Sequence, residues 1–291
     1  MKIFSPHIHN KITLNQIPNK VSFGVTNRNY NLDNDYYINT SMGTYTLMFR
    51  NDIDWFELAK KEQELFKDKD KVNMIQFASS SGAEAYTKII SMLEANTPEK
   101  VKKFFPIKAY DIDPVIVDVA KSGFINFDKQ EKNDFYRYNL DILKYFTPHT
   151  EKLDLNCGDF KAPQKTYSAK NILTDNVDFQ KGDMFKLANE IEDNSNTIVL
   201  CRNSLAYFNR NLQEKFIRAI ASKLKENSLF IVGDFDADFG ILPLLKKYRF
   251  KEIMKNVYQK IDNSSEPIEI KEEKKEIPFF ARLKAHLDAT N

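Results

Sequence analysis

Residues 75–90 read IQFASSSGAEAYTKII. An apolar run from Met74 to Ala78 has the length of a buried strand. Three serines, Gly82 and Glu84 follow, and Ala83, Tyr86, Ile90 and Leu93 then recur at helical spacing. Strand, small-residue turn and helix is the geometry in which an α/β sheet binds a nucleotide-like ligand at the carboxyl end of a strand. Small side chains let a ligand approach the backbone, and the first turn of the helix offers unpaired N–H groups. Gly82 stands alone, so the G-x-G-x-x-G fingerprint is absent, which argues against pyrophosphate and leaves room for a cofactor without phosphates. An ordinary β–turn–α unit with no ligand has the same sequence.

Working outward, strand and helix units alternate. Ile107–Tyr110 is a second strand, ending in Asp111-Ile112-Asp113-Pro114, and a helix from about Pro114 to Ser122 stops at Gly123 as a C-cap. Val177-Asp178-Phe179 leads to Gly182-Asp183-Met184. The run 196–201 (NTIVLC) leads to Arg202-Asn203-Ser204-Leu205-Ala206-Tyr207-Phe208. Leu212, Phe216, Ile220 and Leu224, four apart, mark an amphipathic helix. Leu229–Gly233 is another buried strand, followed by Asp234-Phe235-Asp236. This alternation predicts an α/β fold with a doubly wound, mostly parallel sheet. Residues 124–176 break the rhythm and read as a small inserted subdomain. Upstream, Thr46 to Phe66 is expected to be helical, with Phe49, Ile53, Phe56, Leu58 and Leu65 on one apolar face. Residues 1–45 are asparagine-rich and read as an arm or lid. The core domain is placed at 46–261, and 262–291 forms a charged C-terminal segment.

Composition narrows the function classes. Lys+Arg 43 against Asp+Glu 41 leaves a net charge of +2, so charge predicts neither nucleic-acid nor membrane binding. Cys157 and Cys201 occur in unrelated contexts, which excludes a disulfide scaffold and fits a reducing compartment. No run has the length of a signal peptide core or a membrane span, so a cytoplasmic protein is expected. The four histidines, His7, His9, His149 and His286, show no metal-ligand spacing beyond an isolated H-x-H. With no C-x-x-C, G-x-S-x-G or Walker loop, no metal site is assigned, and thiol and nucleoside triphosphate chemistry lose ground.

The strand ends supply the candidate site. Asp111 can accept both hydroxyls of an adenosine ribose, each charge-assisted bond being worth roughly 1.5–3 kcal/mol. Asp113, just before Pro114, is assigned to helix capping. Asp183 can accept an adenine amino group or stand as a loop carboxylate in water.

The motifs taken together resemble the CheR-type methyltransferases, the chemotaxis-receptor glutamate methyltransferases. ASSSGAEAYT (78–87) is similar to their A-A-S-T-G-E-E-P-Y-S, and AYDIDP (109–114) to A-S-D-I-D-T. VDFQKGDM (177–184) resembles V-x-F-x-x-x-N-L, CRNSLAYF (201–208) resembles C-R-N-V-x-I-Y-F, and TLMFR (46–50) resembles T-x-F-F-R. Five motifs in order over about 46–235 make the resemblance specific. It departs at Ala83 and Ala85, where the family has glutamate and proline. It departs also at Asp183, which replaces an asparagine and accepts but does not donate when ionised. The arm 1–45 stands where the family has a helical domain.

The resemblance implies a Rossmann-like methyltransferase sheet with S-adenosylmethionine (SAM) as cofactor and S-adenosylhomocysteine (SAH) as product. It places Ser80, Ser81 and Gly82 along the methionine end with Glu84 beside them. Asp111, followed by Ile112, holds the ribose, and Asp183 and Met184 border adenine. Asn203 and Ser204 flank the cofactor, and Arg50 and Tyr207 face the sulfonium and the incoming nucleophile. The implied acceptor is a glutamate carboxylate on a protein partner. For an amine or hydroxyl acceptor a base is required, and Asp234 or Asp236 is the nearest. Two other readings stay open: a SAM-binding or docking module without catalysis, and a nicotinamide-dependent oxidoreductase.

Overall fold

The structure, a computed structural model, describes residues 46–127, 129–150, 165–192 and 196–269, together with the backbone of 29–32 and 36–39. Strands β1 (Asn29–Leu32) and β2 (Tyr36–Asn39) pair as an antiparallel hairpin. Helix α1 (Trp55–Leu65) leads to β3 (Asn73–Phe77), α2 (Ala83–Ala95) and α3 (Pro98–Val101). Next come β4 (Ile107–Asp111), α4 (Pro114–Ser122), β5 (Phe124–Phe127), α5 (Lys129–Arg137), α6 (Ile142–Tyr145) and β6 (Phe146–Pro148). They are followed by β7 (Lys165–Ala169), α7 (Asn171–Thr174), β8 (Val177–Lys181), α8 (Met184–Glu190) and β9 (Thr197–Cys201). The described chain closes with α9 (Arg210–Lys223), β10 (Leu229–Ile231), α10 (Asp234–Asp236), α11 (Leu242–Lys247), β11 (Phe250–Met254) and β12 (Val257–Lys260).

The main sheet runs β11-β12-β10-β9-β3-β4-β8. Its five strands from β10 to β8 are parallel, and the β11–β12 hairpin joins β10 antiparallel. The chain steps from β3 outward to β4 and β8, then crosses back to β9 and β10. Strand order therefore reverses between β3 and β9, where doubly wound sheets open a ligand crevice. Register brings the strand ends level: Phe77 pairs with Tyr110 and with Cys201, and Asp111 with Lys181. All five residues of β9 are buried, as the apolar run at 197–201 requires of a strand covered on both faces.

Trp55 of α1, Tyr86, Ile89 and Ile90 of α2 and Phe127, Phe135 and Phe146 of the insert pack into one core. Phe185 of α8, Phe216 and Ile220 of α9 and Leu245 of α11 pack into the other. The insert contains a three-stranded antiparallel sheet, β5-β7-β6. Glu94 of α2 ties it down, accepting from Lys144 Nζ at 2.7 Å and Tyr145 Oη at 2.5 Å.

The doubly wound sheet and its inserted small sheet match the expectation from sequence. The helix expected from Thr46 does not: it begins only at Trp55. Asp54 caps it, accepting from the N–H groups of Phe56 and Glu57, while Phe49 takes φ 48° and donates its N–H to Thr87 Oγ1 at 3.0 Å. A cap and a bond across 38 residues override the apolar periodicity of 46–54. The β11–β12 hairpin, not foreseen, turns at Asn256 with φ 63°. The arm read as a lid, 1–45, lies outside the described residues except for the β1–β2 backbone, as does the C-terminal segment beyond 269.

Candidate active site

The turn after β3 is conformationally unusual. Ala78, Ser80 and Gly82 have φ of 52°, 49° and 92°, so the backbone alternates into the left-handed region three times in five residues. Non-glycine residues rarely adopt it, and such positions gather at ligand sites. Two bonds hold the turn to β4: Ser79 N–H to the Tyr110 carbonyl at 2.9 Å and Ser80 N–H to Asp111 Oδ2 at 2.8 Å. Gly82 opens α2 where a Cβ would lie 2.5 Å from the Phe179 ring, so only glycine fits. Ser80 and Ser81 are buried alongside.

Asp111 also receives the Asp113 N–H at 3.1 Å on Oδ1, and burial pushes its carboxyl up to about 6 against these two donors. Each of its oxygens still has a lone pair to offer. Ile112, between the two aspartates, is half-buried. Asp113 caps α4 through Val115 N–H, the role assigned from sequence.

At the end of β8, Asp183 is neither a loop carboxylate in water nor simply an open acceptor. Its Oδ1 caps α8 by accepting from Phe185 N–H at 2.9 Å, and its Oδ2 is buried with no hydrogen-bond partner. Ser79 Oγ, after β3, is a second buried atom without a partner. Buried polar atoms in folded proteins are nearly always satisfied, so Asp183 Oδ2, an acceptor, and Ser79 Oγ, which accepts or donates, have hydrogen-bonding capacity to offer a ligand. Met184, half-buried, starts α8 beside Asp183.

After β9, Asn203 takes φ 54° and its side chain lies against Gly233, where a Cβ would meet Oδ1 at 2.1 Å. Asn203 Oδ1 accepts from Phe235 N–H at 3.2 Å. Ser204 Oγ contacts the buried Cys201 Sγ at 3.3 Å. Both residues are half-buried. Asp236 organises this loop, accepting from the N–H groups of Asn203, Ala206 and Gly233. Burial pushes its carboxyl up to about 6. It is enclosed and fully engaged, which removes it as a base for an incoming substrate. Asp234 is engaged too, with Lys255 Nζ at 2.9 Å and Asn256 Nδ2 at 2.7 Å. Tyr207 is 45% exposed, packs against Phe235 with ring centroids 5.2 Å apart and the rings tilted by 50°, and has its phenol pushed up by burial although the Arg50 charge pulls the other way.

Behind Tyr207 lies a buried charge cluster. Arg202 forks between Glu84 Oε1 at 2.8 Å and Asp52 Oδ1, with its guanidinium 4.8 Å from the Trp55 ring centroid. Burial works against its charge, but Glu84 and Asp52 outweigh it and hold the guanidinium positive. Arg50 Nε stands 3.5 Å from the same Glu84 oxygen. Glu84 therefore meets two arginines, and an adjacent cation and carboxylate complement the two ends of an amino-acid zwitterion. Arg202, Asp52 and Asn256 were not singled out from sequence. Arg202 lies inside the quoted CRNSLAYF block, but nothing local reveals partners 118 and 150 residues away.

The residues fit a cofactor that joins a purine nucleoside to an amino acid: Asp183 and Asp111 for donors on base and sugar, Arg50 and Glu84 for the charged tail. Residues 157–241 match the family model of the CheR methyltransferase SAM-binding domain. The chain is 24% identical over 203 residues to the chemotaxis protein methyltransferase of Vibrio anguillarum, covering 67% of this chain and 66% of that one. It is 23% identical, over the same shares, to chemotaxis protein methyltransferase 1 of Vibrio cholerae. The matched region thus spans just under two thirds of the length of these curated relatives. Among solved structures, an O-methyltransferase family protein from Burkholderia thailandensis is 10% identical over 72% of this chain and 56% of that chain, with a TM-score of 0.37. The motifs at 177–184 and 201–208 fall inside the matched range and sit at the ends of β8 and β9: the chain is similar to the CheR methyltransferases in its SAM-binding domain, and its cofactor is S-adenosylmethionine.

Proposed function

We propose that this protein transfers a methyl group from SAM to a carboxylate, a glutamate side chain of a protein partner. The observation that carries the reading is the chemistry of the site mouth. Arg50 and Tyr207 offer a cation and a protonated phenol, while every carboxylate behind them is committed. Asp52 and Glu84 are paired with Arg202, Asp236 holds three backbone N–H groups, and Asp234 holds Lys255 and Asn256. Among the described residues behind Arg50 and Tyr207, none of these four carboxylates is left to act as a general base. An amine or hydroxyl acceptor needs one; a carboxylate, with an unperturbed pKa of about 4.3, does not.

Bound SAM supplies an electrophilic methyl group. The chain's part is alignment, which can contribute roughly 7–11 kcal/mol. Asp111 would hold the ribose and Asp183, with Met184, the adenine edge. Ser80, Ser81 and Gly82 would admit the methionine end, Arg50 and Glu84 would take its charges, and Asn203 and Ser204 would flank it. Tyr207 would orient the acceptor. The partner is a protein that presents an acceptor glutamate. Among the described residues no helix is long and apolar enough to cross a membrane.

Incubation with methyl-tritiated SAM and cell extract is the test. Label released from protein as volatile methanol by mild alkali marks a carboxyl ester. Alkali-stable label would mean a different acceptor, and SAM binding with no transfer would mean a module without catalysis.

Two further results are expected. Tyr207→Phe should lower methyl transfer by about tenfold or more, since a hydrogen bond to a charged group is worth ~1.5–3 kcal/mol. SAH affinity should stay within about twofold; an unfolded variant would make Tyr207 a packing residue. Asp111→Asn should weaken SAH binding by about tenfold at pH 7.5. The wild-type affinity should also fall as the pH drops through about 6, where Asp111 takes up a proton and stops being a charged acceptor. That dependence should flatten in Asp111→Asn. Calorimetry at pH 5.5 and 7.5 reads both effects.

A further inference from the structure

We propose that Asn256 is a positioning residue for Arg50, stapling the segment that carries this arginine to the carboxyl end of the sheet. The inference rests on the reading that Arg50 takes the carboxylate of the cofactor's amino-acid end. Arg50 sits on irregular backbone between Thr46 and the start of α1, tied to the helices by Trp55 Nε1, which donates to the Arg50 carbonyl at 3.0 Å, and by Phe49 N–H on Thr87 Oγ1. What ties it to the strand ends of the sheet is Asp52. Its Oδ2 accepts from Asp234 N–H at 3.1 Å, its Oδ1 meets Arg202, and its carbonyl accepts from Asn256 Nδ2 at 3.1 Å.

The same Nδ2 donates to Asp234 Oδ1 at 2.7 Å. One amide group therefore bridges the Arg50 segment and Asp234, the first residue of α10, using both of its hydrogens. Asn256 is 2% exposed and lies 204 residues from Asp52. It is also outside residues 157–241. It stands at the tip of the β11–β12 hairpin with φ 63°, and its carbonyl accepts from Val232 N–H at 3.0 Å. The antiparallel hairpin thus does more than close the sheet edge: its tip reaches the strand ends that carry the site. Asparagine meets both demands there, because it tolerates left-handed backbone and carries a two-hydrogen donor. Aspartate would tolerate the backbone but present a third carboxylate to Asp52 and Asp234.

The test compares two ligands, SAH and 5′-methylthioadenosine, which lacks the amino-acid end. Asn256→Gly keeps the backbone conformation and deletes the staple. SAH affinity should fall by about tenfold, the scale of one charge-assisted bond, with the affinity for 5′-methylthioadenosine unchanged. Asn227→Gly is the control: Asn227 also has positive φ, 71°, but it precedes β10, at the opposite end of that strand, and should leave both affinities unchanged. Equal loss for both ligands in Asn256→Gly would mean general loosening, and no loss would mean no positioning; either overturns the proposal. Arg50→Met separates the two layers. If it keeps the wild-type preference for SAH over 5′-methylthioadenosine, the reading of Arg50 fails and the inference with it. If it loses that preference while Asn256→Gly does not, only the inference fails.

Discussion

Arg202→Ala is expected to cost about 3–5 kcal/mol of folding stability, the range for removing one partner of a buried ion pair. Arg202 is 5% exposed and is the shared counter-charge of Asp52 and Glu84. Its loss leaves two carboxylates facing one another with little water to solvate them. It also uncovers the Trp55 face and frees the Val232 carbonyl, which now accepts from Arg202 Nε at 3.3 Å. Against a typical total of about 5–15 kcal/mol, that is a large share. Lysine should not rescue, because a single ammonium cannot fork between two carboxylates as the guanidinium does.

The pH dependence carries the sign. In the native protein burial works to raise Asp52, but Arg202 outweighs it and holds the carboxyl below its usual range. Its contribution to stability is therefore present above its unfolded pKa and lost as pH falls through the lower folded one. In Arg202→Ala the same burial acts on Asp52 without the Arg202 charge and raises its carboxyl. The variant should regain stability relative to wild type on acidification from pH 7.5 to 5. Urea titrations at the two pH values measure it. A variant uniformly within 1 kcal/mol of wild type would mean that water reaches the cluster and screens it.

The second large effect is expected of Asp236→Ala. Three N–H groups, of Asn203, Ala206 and Gly233, lose their acceptor at once, and each buried unsatisfied donor costs about 1–3 kcal/mol. A loss of at least about 3 kcal/mol follows, concentrated in the loop that carries Asn203, Ser204 and Tyr207. Hydrogen exchange at Asn203 and Ala206 should speed up before global unfolding. Asp236→Asn keeps one acceptor oxygen but turns an NH2 toward N–H groups, so an intermediate loss is expected. Because burial raises Asp236 to about 6, its contribution to stability is fully present below the unfolded carboxyl pKa and is lost as pH rises through about 6. Asp236→Asn should abolish that part of the pH profile. If the alanine variant keeps wild-type exchange at both amides, the loop is held by other contacts.

What the sequence determined by itself was local. The apolar runs that became β3, β9 and β10, the α9 stripe of Leu212, Phe216 and Ile220, the Asp113 cap and the Gly123 stop each depend on residues within a turn or two. The order of the motifs was legible for the same reason, and with it the resemblance to the CheR methyltransferases. The helix expected from Thr46 failed because its real start was decided by a cap and by Thr87, a partner in another helix. Asp183 could be called an adenine acceptor or a solvated carboxylate; one oxygen on a helix start and the other buried without a partner is a division made by packing.

The tertiary structure alone decided the charge cluster. Glu84 meets Arg202 across 118 residues, Asp52 meets Arg202 across 150, and Asn256 meets Asp52 across 204. Periodicity and capping act over a few residues, whereas these contacts exist because strand order places β3, β9, β10 and β12 side by side with the ends that carry them level. No spacing in the chain encodes that adjacency. It appears only when the sheet closes and buries the charges, whose desolvation makes their pairing with one another and with nearby backbone groups obligatory.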